Sequence, residues 1–501
     1  GYATIGVNEG ETPDINSPEI IGGDYALYGH SFNFYDGVLR GGIQSYQEGT
    51  VKQIADNASL HVETQTIDGK DYDVRYLVPL YDVAKIGNTR YTRLGDAIDD
   101  AISGDVIELL VDNYIFDAIN ISDGKDFTIE THDFIIDSNN PITNSGKVRI
   151  INSEPSSLSR PFRYFGSDYL FINNDGASLT LVDLKMTGSR LIHNFGTLFT
   201  DNLRIDSSDV AINNESVNNA GVNTNLVIVS SNYGFYNNGG ELIADTFSLT
   251  GKAYSNDGKL NLKNGIINPT ELMKTNLVTT AQAGDIFLDN TQVNMGTEYY
   301  VQSSYDAQRT YAYIVVNAGT FAAEHSAVNY DLQGKTNVNT YALYNTGTAS
   351  FIDSHISFNP ANLTEGYSPY SAYGIYNTSG TIGFESGSIY VPNKTAYGIY
   401  SETGTITLGV PEQPGPTYGK EDADVSTTNP DIKAIGTTTG IGVKNANGGK
   451  VYYYDGRITG SSSAMPENPT ATEYMFDPKD YTDENNYHYR ILEWRREQPG
   501  N

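Results

Sequence analysis

The stretch Ile192-His193-Asn194-Phe195-Gly196 decides the fold, because it recurs along the chain: an apolar residue, any residue, Asn, then Gly two or three places on. It stands as Ile142-Thr143-Asn144-Ser145-Gly146, Ile172-Asn173-Asn174-Asp175-Gly176, Phe235-Tyr236-Asn237-Asn238-Gly239 and Tyr254-Ser255-Asn256-Asp257-Gly258. Later copies are Val315-Val316-Asn317-Ala318-Gly319, Leu343-Tyr344-Asn345-Thr346-Gly347 and Ile375-Tyr376-Asn377, with looser versions at Asn214, Ser401 and Asn445. From Asn174 the steps are 20, 20, 23 and 19 residues, and after Asn317 they stretch to 28, 32 and 24. Short alternating strands follow the turns, as in Leu179-Thr180-Leu181 and Thr405-Ile406-Thr407-Leu408. Units of about 20 to 30 residues made of short strands and Gly/Asn turns belong to a β-solenoid; a leucine-rich repeat needs its Leu pattern and a propeller needs units of about 40. The spacing therefore predicts an all-β chain, a right-handed parallel β-helix.

Strand side chains alternate faces, so the apolar residue two before each Asn points inward and the Asn leans the same way at the bend. On this reading Ile172, Ile192, Phe235 and Tyr254 face the core. Asn144, Asn174, Asn194, Asn237, Asn256, Asn317, Asn345 and Asn377 form a structural ladder, each amide bonding from rung to rung. The residue one before the Asn faces out. Tyr344, Tyr376 and Tyr400 occupy that place on successive rungs, a candidate exposed contact ladder. Tyrosine offers a flat apolar face with a polar tip, suited to a sugar ring or a protein surface; stacking that only stiffens the wall is the plainer alternative.

Ahead of the solenoid, the apolar residues Leu94, Ala97, Ile98, Ala101 and Ile102 mark a short amphipathic helix, placed to cap the first rung. A longer-range repeat sets the domain plan. Phe34-Tyr35-Asp36-Gly37-Val38-Leu39-Arg40-Gly41 matches Tyr453-Tyr454-Asp455-Gly456-Arg457-Ile458-Thr459-Gly460. Thr4-Ile5-Gly6-Val7 matches Thr407-Leu408-Gly409-Val410, Ser17-Pro18-Glu19-Ile20 matches Asn429-Pro430-Asp431-Ile432, and Val74-Arg75-Tyr76-Leu77 pairs loosely with Tyr489-Arg490-Ile491-Leu492. Residues 1–83 read as the closing part of a preceding module, 84–112 as the opening strand and capping helix of the main one, 113–460 as its β-helix, and 461–501 as its closing segment. The expectation is a slice of a tandem array.

Composition narrows the function. In 501 residues, Asp and Glu outnumber Lys and Arg by 61 to 31, for a net charge of −30, and there is no cysteine. Phosphate-tracking nucleic-acid surfaces need clustered cations, so no nucleic-acid partner is expected. No run approaches the roughly 18 apolar residues of a membrane span. Disulfides, thiolate nucleophiles and Cys-ligated zinc are excluded. A hydrophobic share of 38% still supports a core.

The opening Val83-Ala84-Lys85-Ile86-Gly87-Asn88-Thr89-Arg90-Tyr91-Thr92-Arg93-Leu94-Gly95-Asp96-Ala97-Ile98, followed by Gly104-Asp105-Val106-Ile107-Glu108-Leu109-Leu110, resembles the module opening of repetitive adhesin-like cell-surface proteins of Gram-positive and related bacteria, built of tandem pectate-lyase-like β-helix modules. The Tyr-Asp-Gly closing element and the Tyr-Gly-Ile-Tyr-Asn rungs carry the same resemblance, which covers essentially the whole chain. It implies an extracellular, surface-exposed location, with neighbouring modules or like chains as partners and surface glycans or proteins as candidate ligands. It also implies that a leader and an anchor lie elsewhere in a longer polypeptide.

The pectate-lyase-like fold also hosts polysaccharide lyases and hydrolases, so chemistry must be argued from residues. Phe351-Ile352-Asp353-Ser354-His355 is the nearest match to a lyase strand, but it lacks flanking carboxylates and a basic partner, and Asp353 and His355 read as a solvated pair. Asp96, Asp99 and Asp100 read as the polar face of the capping helix. The acidic loop Glu421-Asp422-Ala423-Asp424 lacks the spacing of a calcium loop and supports weak calcium binding at most. No catalytic, cofactor or metal residue is assigned. The expectation is a non-enzymatic stalk, fibre or adhesin module of roughly 14 rungs, about 65 Å long at about 4.8 Å per rung. A polysaccharide lyase or hydrolase, and then a phage tail spike, are the alternatives.

Overall fold

The computed structural model describes residues 3–6, 18–28, 31–35, 37–47, 51–54, 58–67, 70–79, 82–115, 117–153, 161–216, 221–269, 276–296, 311–331, 339–359, 371–411, 425–472 and 476–494. Among them the chain is mostly strand, with one helix, Leu94–Asp100. Contacts divide it into two units, one of residues 1–101 and 106–113, the other of residues 102–105 and 114–501. The opening strands and the helix thus fall within the first unit.

In the first unit, Glu19–Gly22 runs parallel to Val38–Gly41, which pairs antiparallel with Lys70–Pro79, itself in a hairpin with Ala58–Ile67. Ile5, Phe32, Phe34, Leu39, Ala58 and Leu77 make its core. The helix buries Leu94, Ala97 and Ile98 against the antiparallel pair Ala84–Ile86 and Thr89–Tyr91. The expected apolar face is one residue too long: the helix stops at Asp100, Ala101 takes an extended ψ of 134°, and Ile102 ends up 69% exposed.

The second unit is a stack of parallel coils. Short strands pair with the third strand on, Ile119–Ile121 with Ile142–Asn144 and then Tyr169–Asn173, and Asp126–Glu130 with Lys147–Ile151, while the long strand Ser178–Asn194 pairs directly with the next, Thr197–Asn214. The coil pairings are parallel, with register shifts only at local irregularities such as Gly188/Arg190 and Asn393/Thr395, and make the fold all-β and solenoid-like. The sequence forces this register because each coil presents apolar residues at the same places. One inward column runs Val278, Val315, Leu343, Ile375, Ile399, Val443, and another runs Leu288, Ala323, Phe351, Phe384, Leu408, Tyr453. Nearly every one is at most 1% exposed (Ala323 is 3%), and burying each large apolar side chain stabilises by about 1.5–3 kcal/mol.

One corner of the coil is left-handed. Asp183, Asn202, Asn225, Thr246, Asn264, Asn290, His325 and Asp353 stack there with φ between 44° and 58°. Asn and Asp tolerate that region because their short polar side chains bond locally.

The closing region of the second unit repeats the first unit pair by pair. Asp431–Ala434 runs parallel to Arg457–Gly460, which pairs antiparallel with the strand His488–Trp494 of the hairpin Phe476–Thr482/His488–Trp494. Gly37 and Gly456 sit at φ +89° and +99°, and a Cβ on either would lie 2.1 or 2.2 Å from the carbonyl oxygen of Pro18 or Pro430.

Candidate functional site

The face that carries candidate function is the outward side of the strands whose inward side holds the Asn column. That column is a series of side-chain hydrogen bonds. Asn144 Nδ2 donates to Asn173 Oδ1 (2.8 Å), Asn173 to Asn194 (2.7 Å), Asn194 to Asn214 (2.8 Å) and Asn214 to Asn237 (2.8 Å). Further on, Asn317 donates to Asn345 (2.6 Å), Asn345 to Asn377 (2.8 Å) and Asn377 to Ser401 Oγ (3.1 Å). All nine side chains joined by these seven hydrogen bonds are buried, so rung-to-rung bonding satisfies groups that would otherwise cost about 1–3 kcal/mol apiece.

Two of the residues read into that column lie elsewhere. Asn173, not Asn174, is buried; Asn174 is one place on, donating to Ser145 Oγ (2.9 Å). Ser255 holds the buried place beside Asn256, which donates to Asn238 Oδ1 (2.6 Å). The inward residues are accordingly Phe171 and Ala253, and Ile172 and Tyr254 are half-buried on the other face. A one-residue slip turns every side chain to the opposite face. Phe171-Ile172 and Asn173-Asn174 fit the motif in either register, and the stack with Ile192 and Asn194 settles it.

On the outward side, Tyr344, Tyr376 and Tyr400 do form a column, with ring centroids 5.7 and 5.1 Å apart and planes within 9°. They are half-buried, not exposed. The reason is a second column that the sequence reading missed: Tyr313, Tyr341, Tyr373 and Tyr397, spaced 5.0, 4.8 and 5.0 Å. The two columns lock edge to face, as in Tyr341–Tyr376 (5.2 Å, 87°) and Tyr373–Tyr376 (5.1 Å, 88°), the geometry the ring quadrupole favours. The signal was Tyr-x-x-Tyr. Strict alternation sends residues three apart to opposite faces, but Gly374 and Ile375 are consecutive buried residues, and that local break puts Tyr373 and Tyr376 on one side. Gly374 has no room for a side chain, since a Cβ would lie 2.6 Å from the Ile389 side chain.

Two rings of the outer column meet charge. Tyr376 donates its hydroxyl to Glu402 Oε1 (2.5 Å), and the Lys444 ammonium lies over the Tyr400 ring at 5.8 Å. Burial, and then the Glu402 carboxylate, hold the Tyr376 and Tyr400 phenols above their usual range. Stacked faces are spent on one another, so the wall offers edges and hydroxyls rather than the open ring face a sugar needs.

A second aromatic group lies on and just after the earlier strands Tyr169–Asn173 and Ser178–Asn194. His193 sits between Tyr169 (4.6 Å) and Phe195 (4.2 Å), and Arg190 Nε donates to Asp209 Oδ2 (2.8 Å). Burial pushes the Asp209 carboxyl up, but Arg190 and Asn232 outweigh it and leave it below the usual range. Asp209 raises the Arg190 guanidinium in turn.

Asp353 and His355 do not act together. Asp353 sits at the left-handed corner (φ 44°), bonded by Ser386 Oγ (2.7 Å), while His355 Nδ1 meets Ser388 Oγ (2.8 Å). Glu421–Asp424 lies outside the described residues. Among the described residues no helix is long and apolar enough to cross a membrane.

Comparison with protein-family models, with curated proteins and with solved structures finds no match. What fold and face define by themselves is a class, an all-β, parallel-strand solenoid-like protein walled on one side by interlocked tyrosines.

Proposed function

We propose that the chain is a stretch of right-handed parallel β-helix serving as a non-enzymatic, extracellular structural or adhesive module of a tandem-repeat bacterial surface protein of the adhesin-like kind. The observation that carries this is internal: the same closing element, with the same register and the same glycine-over-proline contact, occurs twice, and the first copy is followed by an opening strand and helix. An array joined by such elements is a stiff rod. Its net charge of −30 keeps rods soluble and mutually repelling. Neighbouring modules or like chains are its partners, and glycans or proteins of a surface its ligands.

Electron microscopy of the native full-length material, with its polypeptide mass, tests the reading. Rods with an axial repeat of one module are expected; compact particles without neighbouring modules overturn it. One observation favours a polysaccharide-cleaving alternative: the cluster of Arg190, His193, Asp209 and Glu215 beside Tyr169. Its carboxylates are taken up by Arg190, Asn232, Asn213 and His193. Cleavage of a polysaccharide that Asp209→Asn abolishes would establish that alternative instead.

A further inference from the structure

The chain contains three Asn-Gly bonds: Asn238-Gly239, Asn264-Gly265 and Asn447-Gly448. An asparagine before a glycine can react with its own backbone, because the next amide nitrogen reaches the side-chain carbonyl carbon and glycine has no Cβ to obstruct the approach. Reaction needs a side-chain amide that nothing holds, a glycine N–H that is unbonded, and a backbone between them that can turn. The structure separates the three bonds on these grounds. Asn238 Oδ1 accepts from Asn256 Nδ2 (2.6 Å), and Gly239 O accepts from Asn214 Nδ2 (2.9 Å). Asn264 Nδ2 donates to Asp245 Oδ1 (2.7 Å) while its own Oδ1 accepts from Asn290 Nδ2 (2.8 Å). Gly265 packs so closely on Phe247 that a Cβ would lie 2.2 Å from the ring. Both pairs lie inside the strand Val222–Asn268.

Asn447-Gly448 lies outside the strands, at the centre of the turn 446–449. Asn447 and Gly448 have φ of 53° and 80°, and positive φ at both central residues is the mark of a type I′ turn. The bond that closes the turn, from Gly449 N to Ala446 O, is long at 3.3 Å. Asn447 is exposed, and a Cβ on Gly448 would meet nothing within 4 Å. Among the described residues, neither the Asn447 side chain nor the Gly448 N–H makes a hydrogen bond. All three requirements meet at this one bond.

We propose that Asn447-Gly448 is a site of spontaneous self-modification, at which Asn447 is converted to a mixture of aspartate and isoaspartate. The co-reactant is water, with hydroxide as the base. Hydroxide takes the Gly448 amide proton, and the nitrogen attacks Asn447 Cγ. The N–Cγ bond forms, the Cγ–Nδ2 bond breaks, and Nδ2 takes a proton from water and leaves as ammonia. A five-membered succinimide remains. Water then adds to one of its two carbonyl carbons. Opening at Cγ gives aspartate; opening at the backbone carbonyl gives isoaspartate, in which the main chain runs through Cγ and gains a methylene. Overall one water is consumed, one ammonia is released, and position 447 becomes negatively charged. The bend is a structural one: Asn445 stacks in register on Ser401, its side-chain amide donates to Gly449 O, and Lys450 N donates to Gly404 O (2.9 Å). Isoaspartate lengthens the chain between Asn445 and Gly449, the span that those bonds hold.

The test is incubation of the whole folded chain in mildly alkaline buffer below its unfolding temperature, sampled over time. Peptide mass spectrometry locates each amide replaced by a carboxyl, and fragmentation distinguishes aspartate from isoaspartate. Asn447 is expected to convert several-fold faster than Asn238 and Asn264, with isoaspartate as the larger product. In concentrated urea, where the fold holds none of the three, their rates should converge. Asn447→Gln should remove the early isoaspartate and leave the slow conversion at Asn238 and Asn264 unchanged. Equal rates at the three positions in the folded chain, a lead at any other asparagine, or an Asn447 that stays intact while the unfolded chain converts overturns the proposal. The decisive comparison uses the unaltered chain, so it does not depend on a variant folding. It is made on this chain alone, so its outcome is independent of whether modules form rods.

Discussion

Two stretches of this chain close their units in the same way with different side chains. Tyr35 N donates to Ile5 O and Tyr454 N to Leu408 O, both at 2.8 Å, and Val38 N and Arg457 N donate to Pro18 O and Pro430 O at 3.0 and 2.8 Å. The backbone frame is shared. The fillings are not: Phe34 is a buried ring with no polar atom, and its counterpart Tyr453 donates a buried hydroxyl to Gly456 O (2.7 Å) or Arg490 O (2.9 Å). Arg75 is half-buried and bonds Asp73 at 3.2 Å, whereas Arg490 is 6% exposed and grips Asp480 with two bonds of 2.6 and 2.7 Å. The exposed Ile21 corresponds to Lys433, which lies over the Tyr487 ring. What the element requires is glycine over proline and an apolar inward row; the polar locks differ, Asp73 being held by Ser45 and Arg75 in one copy and Asp480 by a more deeply buried Arg490 in the other.

The largest effect should come from the shared requirement. An alanine at Gly456 must place its Cβ 2.2 Å from Pro430 O while holding φ near +99°, and strain of both kinds together should cost about 3–4 kcal/mol. Gly37→Ala meets the same two obstacles and should cost its unit a similar amount. Thermal unfolding followed for each variant checks this. A tolerated Gly37→Ala beside a crippling Gly456→Ala would break the equivalence of the two elements.

Much of this was legible. The match of Phe34–Gly41 to Tyr453–Gly460 reads directly from the letters because backbone conformations that admit only glycine leave a mark in sequence. The coil period reads for the same reason, from Asn and Gly at bends. Registers inside a coil read less well. Where two apolar residues precede two asparagines, as at Phe171–Asn174, the letters fit both faces, and only the neighbouring coil decides. The second tyrosine column was hidden by a break in alternation at Gly374-Ile375 that a period of two cannot express. The corrected register makes a sharp test. Asn194→Ala strands the Asn173 amide, the Asn214 carbonyl and the Gly196 carbonyl, about 2–3 kcal/mol of buried polar loss, while Asn174→Ala removes one half-buried bond to Ser145 worth about 0.5–1 kcal/mol. Equal losses in urea titrations would show that the column does not run through Asn173.

The polar locks should separate the two copies by a smaller margin. Arg490→Met removes the paired bonds to Asp480 and the bond to Glu467 O (3.0 Å) and should cost about 1–2 kcal/mol; Arg75→Met, at a half-buried site, should cost about 0.5 kcal/mol. Acid should act the same way. The Arg490 hydrogen bonds hold the Asp480 carboxyl below its usual range. A carboxyl lowered by folding adds stability that is fully present above its unfolded value near 3.9 and is lost as pH falls through the folded value. Asp73 behaves alike: burial pushes it up, but the Ser45 amide and hydroxyl together with Arg75 leave it lowered. Both units should therefore weaken below about pH 4. In Arg490→Met the second unit should lose part of its acid sensitivity while the first keeps its own.

The smallest effect isolates one hydroxyl. Tyr453→Phe converts the second closing element to the filling of the first and changes nothing but an oxygen that serves the Gly456 and Arg490 carbonyls. A buried neutral hydrogen bond contributes about 1 kcal/mol, so the variant should unfold slightly earlier with no change in denaturant slope. The reverse change, Phe34→Tyr, brings a hydroxyl to the equivalent place. The Gly37 carbonyl there occupies the position of Gly456, so the frame that accepts the Tyr453 hydroxyl exists in both copies. If the frame alone sets the energetics, Phe34→Tyr is neutral or stabilising. If the added hydroxyl costs more than about 1 kcal/mol, the equivalence stops at the backbone, and each closing element carries a core fitted to its own side chains.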